Sequence, residues 1–327
     1  MQFSTAQAPK TTWQRLSAQP HRLFFGSAVI WGVVMMALSM ISFMGVAGID
    51  FLSIHGYGMI YGLFINAFLG FLSTVIPRFS QSKEISKKAY LTYWLLYQLG
   101  LLASLLGFVV VGKLLSGLGL VYTAWVFFQT LRQGAFSSES DTLWLTGLLF
   151  ACGGLLLAST FLGFDLLWMG IWVSILPITF TVAQRMIPFF YAGYFRNTYS
   201  KPAWVVPFFV LLSWIIAFSG PSSSFTAVAT IVMAIGVIYF LTLVQIYQKS
   251  PPILWILRVG LLWLPVGLLV VGAEALWDGY SLKMGSHILL LGFVFTLLVG
   301  FGTRVLLGHS GQQIAADHIT VYIFGAV

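Results

Sequence analysis

The chain is written as a succession of apolar runs, each close to twenty residues or longer and set off by short polar stretches, and this succession limits its fold more than any other feature. A helix rises 1.5 Å per residue, so about 20 apolar residues cross the roughly 30 Å of a bilayer's hydrocarbon. Ten such runs can be marked, at about residues 23–48, 53–76, 89–112, 114–131, 142–161, 166–190, 203–219, 225–247, 253–273 and 284–307. An eleventh opens at Ile319 and reaches only Val327, which reads as a truncated helix or a segment lying in the interface. Charged residues are 7% of the chain and mean hydropathy is +0.95, where a soluble domain carries about a quarter charged residues. The expectation is therefore an all-α, polytopic transmembrane helical bundle, with a cytoplasmic N-terminal segment over 1–22 and a single transmembrane domain over 23–327.

The net charge of +8 falls between the runs rather than in a patch, which excludes nucleic acid as a partner and leaves membrane lipids. Of the 16 Lys and Arg residues, only Lys113 and Lys283 fall on the side opposite the N-terminus. Basic residues accumulate on the cytoplasmic side, so the N-terminus is expected in the cytoplasm. The first run is too long for the apolar core of a signal peptide and is read as an uncleaved span. The single cysteine, Cys152, stands inside an apolar run and reads as a packing residue.

Chemistry is sought first at the start of the second run, where His55 stands among Gly56, Tyr57 and Gly58. Down the same helical face Gly58, Gly62, Asn66 and Gly70 make a small-and-polar seam that admits either a neighbouring helix or a flat cofactor. His287 lies at the matching end of the tenth run, at nearly the same depth. Two imidazoles at one depth on different helices can hold opposite faces of a haem or share a copper ion. His21 and His309 fall at the cytoplasmic end and form a second candidate set, while His318 reads as a loop residue. Arg22, Arg185 and Arg304 lie near that same face and can neutralise propionates or another anion, or else snorkel to lipid. Gly292, Thr296, Gly300 and Gly302 make a second small-residue seam. Asp50, Asp165, Glu274 and Asp278 read as a solvated acidic rim, and the 12 tryptophans and 13 tyrosines as interfacial belts. The sixth run carries Pro177, Gln184, Arg185 and Pro188, which predicts a kink or break. Walker loops, dinucleotide fingerprints and nucleophile elbows are absent from the sequence.

Four stretches then become recognisable: Pro20-His21-Arg22-Leu23-Phe24-Phe25; His55-Gly56-Tyr57-Gly58-Met59 with its closing Val75-Ile76-Pro77; Arg185-Met186-Ile187-Pro188-Phe189-Phe190; and Thr303-Arg304-Val305-Leu306-Leu307-Gly308-His309-Ser310-Gly311. In this order they resemble the NnrS family over nearly the whole chain. The resemblance implies a bacterial inner-membrane protein of about a dozen spans, binding b-type haem and copper, and tied to nitric oxide and nitrosative stress. It carries over His21, His55, His287 and His309 as candidate ligands, and nitric oxide, iron-nitrosyl species and an electron donor as partners. It leaves open whether the protein is a haem-dependent oxidoreductase. One departure stands out: where the family shows His-x-His-Glu-Met, this chain has Tyr57 and Gly58 for the second histidine and the glutamate. Tyr57 can serve as a phenolate ligand or as a packing residue.

A haem-copper oxidase core is excluded by arithmetic, because it needs about six intramembrane histidines and the third to ninth runs contain none. The reading from another class is a cofactor-free transporter or channel in which Pro177, Gln184 and Arg185 line a path through a broken sixth span. A blander one is an assembly partner of a respiratory complex.

Overall fold

The computed structural model describes residues 11–45, 51–134, 140–195, 202–244, 247, 249–277, 283–309, 311 and 314–326. Among these there is no β-strand. The helices are α1 (Thr12–Leu16), α2 (Pro20–Phe43), α3 (Ile54–Phe79), α4 (Lys87–Leu105), α5 (Val109–Arg132), α6 (Ser140–Ala158), α7 (Leu166–Tyr194), α8 (Val205–Ser219), α9 (Ser224–Leu243), α10 (Pro252–Leu276), α11 (Met284–Gly308) and α12 (His318–Ala326). Nine of the ten apolar runs fall on a single helix among α2–α11, whereas the third, marked 89–112, overruns the turn at Gly107 into the start of α5. Eight of these helices are long and apolar enough to cross a membrane; α8 is apolar but has 15 residues, and α4 is diluted by Lys87, Lys88, Gln98 and its tyrosines. The protein is thus an all-α, multi-pass membrane bundle.

Short polar turns set the helix starts. Ser86 caps α4 by accepting from the Ala89 N–H, and Asp165 Oδ1 caps α7 by accepting from the N–H groups of Leu167 and Trp168 at 3.0 and 3.1 Å. Gly107 and Gly220, at φ of 89° and 80°, make the left-handed turns that end α4 and α8. The Thr320 hydroxyl and N–H both bond Asp317 at the start of α12 and hold its carboxyl below the usual carboxylate range.

The chain forms two compact units, Met1–Gly170 and Ile171–Val327. In the first, α2 packs along α3, and α4, α5 and α6 follow as antiparallel neighbours. In the second, α10 lies between α9 and α11, while α8 joins α7 to α9. The exposed flanks carry side chains such as Val29, Val33, Phe150, Leu211 and Ile235, the surface that lipid covers.

Three helices loosen into π-helical turns: Gly58–Phe64 in α3, Gly170–Ile175 in α7 and Ile288–Phe295 in α11. They fall on every fourth long helix and begin 112 and 118 residues apart. The sixth run, for which a kink or break is expected, is not broken: α7 continues through Pro177 and Pro188. Pro177 has no N–H to give the Val173 carbonyl one turn earlier. Trp214 Nε1 on α8 donates to that carbonyl at 3.3 Å, and the π turn just ahead of Pro177 widens the helix there. Gln184 is buried, with Nε2 donating to the Thr181 carbonyl at 2.9 Å, so it faces protein rather than an open path.

The seam on α3 is filled by a helix. A Cβ on Gly62 would lie 3.1 Å from Trp31 and one on Gly70 would lie 2.9 Å from Phe24, while Gly58 abuts Met35. All three partners belong to α2, so the flat-cofactor reading of this seam is overturned. Its polar member is wired into the same packing: Trp31 Nε1 donates to Gln98 Oε1, Gln98 Nε2 to Asn66 Oδ1 and Asn66 Nδ2 to the Gly62 carbonyl, each at 2.7 Å. The seam of α11 also meets a helix, with Gly292 against Trp263 and Gly300 against Ile256 and Leu257 of α10, whereas Gly302 faces open space.

Aromatic belts describe only part of the tyrosine set. Tyr61, Tyr90, Tyr93 and Tyr97 are buried in the first unit, where Tyr97 and Tyr61 donate to the carbonyls of Tyr61 and Leu166 at 2.6 and 3.0 Å. In an apolar interior a phenol needs such an acceptor, and here backbone carbonyls supply it. Cys152 is buried, as its apolar surroundings foretold.

Candidate functional site

His55 lies in the first turns of α3, three residues ahead of the π segment that begins at Gly58. The helix is held there from two sides, since Gly56 packs against Leu167 and Gly58 against Met35. His55 itself is half-buried. Tyr57 turns into the unit, its hydroxyl 3.4 Å from Ser104 Oγ and its ring 4.8 Å from that of Tyr61. That is the packing role, not that of an iron ligand. Gly58 has its own reason: a side chain at this position would run into Met35, so the family's glutamate does not fit beside this α2.

His287 stands at the equivalent place in α11, immediately ahead of the π segment Ile288–Phe295. Its Nδ1 is 2.8 Å from the Lys283 carbonyl. A carbonyl can only accept, so Nδ1 carries a proton, and in the neutral ring Nε2 is then the lone-pair nitrogen that could bind a metal. Metal-bound histidines are commonly fixed in this way through the other ring nitrogen. The imidazole is exposed, so Nε2 is within reach of a ligand.

Glu274, expected on a solvated rim, is instead 7% exposed and closes the start of α11. Its Oε1 accepts from the Met284 N–H at 2.8 Å and its Oε2 from the Gly285 N–H at 3.2 Å. Lys283 takes a left-handed φ of 47° just before, which lets the chain turn into the helix. A carboxylate on two first-turn N–H groups also meets the positive end of the helix dipole. Glu274 therefore fixes the turn from which His287 projects. Asp165 is exposed, as a rim residue should be, and also caps α7, while Asp50 and Asp278 lie outside the described residues.

At the other ends of these helices the recognisable stretches pair up within each unit. In the first, Pro20 and His21 of α2 and Pro77 and Arg78 of α3 line one cavity, where His21 is buried and packs 6.1 Å from the Phe25 ring. Arg22 is exposed and donates through Nη1 to the Arg15 carbonyl at 3.2 Å. In the second, the Arg304 guanidinium lies 3.9 Å from the centre of the Phe190 ring, so the two motif stretches of α7 and α11 meet through a cation–π contact. Arg185 is half-buried on α7, and His318 is exposed. The side chain of His309 lies outside the described residues.

A haem with histidine ligation suits the tautomer set at His287 and the π turns beside both histidines, which commonly mark functional positions. The glycine seam does not supply its cradle, because α2 occupies it. Copper is less well served: among the described residues no three His, Cys, Asp or Glu side chains gather as a metal would require. Residues that the sequence alone left unmarked are Glu274 as a cap and Arg78 as a cavity residue; neither carries a local signal, since each acts on an element distant along the chain. In comparison with known proteins, a family model described as NnrS protein matches residues 15–327. No curated protein and no solved structure matches the chain.

Proposed function

Because the chain belongs to the NnrS family of membrane proteins associated with nitric oxide stress, we propose that it binds haem, with His55 and His287 as the candidate ligands, and acts on nitric oxide in the bacterial cytoplasmic membrane, with its N-terminus inside the cell. The observation that carries this reading is the shared setting of the two histidines. Each stands at the head of a long apolar helix, within three residues of a π-helical segment. Haem, when bound, supplies an iron that binds nitric oxide and exchanges electrons. The chain's own part is to present Nε2 of His287, with the Lys283 carbonyl holding the proton on Nδ1 and Glu274 holding the turn. His55 offers an imidazole of the first unit from a helix wedged between Met35 and Leu167. Arg22, Arg185 and Arg304 are the cations for propionates or another anion. His21 and His309 are the imidazoles left for a second metal such as copper, for which no ligand set is assigned.

The test is the optical spectrum of full-length protein purified in detergent and reconstituted with haem. A Soret band and a low-spin, histidine-ligated signature are expected, weakened by either single replacement and lost in His55→Ala/His287→Ala. An unchanged haem spectrum in the double variant would refute the assignment.

A further inference from the structure

A cavity of about 450 Å³ opens at the end of the first unit where α2 and α4 begin and α3 stops. Its volume lies in the range of small-molecule sites. His21, Ser73 and Tyr90 are buried residues of its wall, and Arg78, Glu84 and Lys87 are exposed ones.

The wall is fixed in shape. Ser82 donates its N–H to the Pro77 carbonyl at 2.9 Å, Ser80 Oγ donates to the Ile76 carbonyl at 2.8 Å, and Gln81 takes a φ of 53° between them. Opposite, Tyr90 donates to the Ser17 carbonyl at 2.8 Å, and Ser73 shares a 2.7 Å bond with Tyr93. Two cations thus stand on a built rim without carboxylate partners. Lys87 Nζ donates to a neutral hydroxyl, Ser17 Oγ, at 2.9 Å, and the Arg78 guanidinium makes no polar contact among the described residues. Glu84 is the one carboxylate lining the space, and it pairs with neither.

We propose that this cavity binds a small molecule bearing a phosphate group, with the anion held between Arg78 and Lys87 and its polar body against His21, Tyr90 and Ser73. A guanidinium takes two oxygens of such a group at once, and an ammonium beside it adds a point charge. The same chemistry is offered by the headgroup of an anionic phospholipid and by a water-soluble phosphate ester. The proposal does not depend on haem at His55 and His287.

The experiment follows thermal unfolding of the full-length protein in nanodiscs of phosphatidylcholine alone, with and without glycerol 3-phosphate, and in nanodiscs containing phosphatidylglycerol. A saturable rise in Tm of a few degrees is expected, since a ligand at about 100 times its Kd adds about 2.7 kcal/mol. A rise with glycerol 3-phosphate identifies a soluble ester, and one with phosphatidylglycerol alone identifies a headgroup. Either must vanish in Arg78→Gln/Lys87→Gln and persist in Lys83→Gln, which removes a nearby charge outside the cavity. No rise with either probe, or an equal rise in the double variant, would overturn the site. The Soret band of the same samples reports the haem proposal separately, because loss of the phosphate response with an unchanged spectrum touches only this cavity.

Discussion

Asn66 and Glu274 show how single polar side chains are used where water is scarce. Asn66 has no exposed surface and joins the Gln98 amide to the Gly62 carbonyl, so its removal strands partners on two helices. Asn66→Leu, nearly equal in size, is expected to cost about 1–3 kcal/mol, read as a lowered Tm in detergent. Glu274→Gln keeps the shape but gives up the charge that faces two N–H groups. A loss of about 1 kcal/mol is expected from stability curves. If Glu274 also positions His287, the variant retains haem less tightly than wild type while keeping the same low-spin signature. A purely structural cap would lower Tm and leave haem affinity unmoved.

Helices α3 and α7 are the most enclosed of the long ones, and both depart from regular α geometry just inside their first turns. Carbonyls in and beside these π turns accept from side chains: that of Tyr61 from Tyr97 on α4, that of Gly62 from Asn66 one turn on in α3 itself, and that of Val173 from Trp214 on α8. Trp214→Phe keeps the ring and removes the donor, and about 1–2 kcal/mol of destabilisation is expected by thermal or chemical denaturation. Close approach is the other rule of these helices. Restoring the family's residue by Gly58→Glu drives a side chain into Met35, which is expected to cost about 3 kcal/mol or more. Met35→Ala in the same chain should recover part of that loss, whereas strictly additive losses in the double-mutant cycle would show that the two positions do not meet.

Over the whole molecule the distribution of Lys and Arg predicts the orientation, with the N-terminus and the α3–α4 turn on the cytoplasmic face and the α4–α5 turn outside. Single cysteines placed at Ser82 and at Gly107, in a Cys152→Ser background, test it: an impermeant thiol reagent added to intact cells should label the second and spare the first. The all-α class and the multi-pass character were legible without coordinates, because crossing a bilayer demands length and apolarity that a segment must meet by itself, as eight of the ten marked runs do. The histidines at the heads of α3 and α11 were legible for a similar reason, since an imidazole in an apolar run stands out. Other features depend on partners far away in the chain. Gly58, Gly62 and Gly70 read first as a helix groove and second as a cofactor cleft, and Met35, Trp31 and Phe24 fill the groove. Pro177 read as a kink or break, yet the helix runs on and Trp214 supplies the donor it lacks, and Glu274 read as surface charge although α11 begins on it. Hydropathy and charge act through the solvent and so are written residue by residue, whereas packing and hydrogen bonding between helices are pairwise, and only the tertiary structure names the second member of each pair.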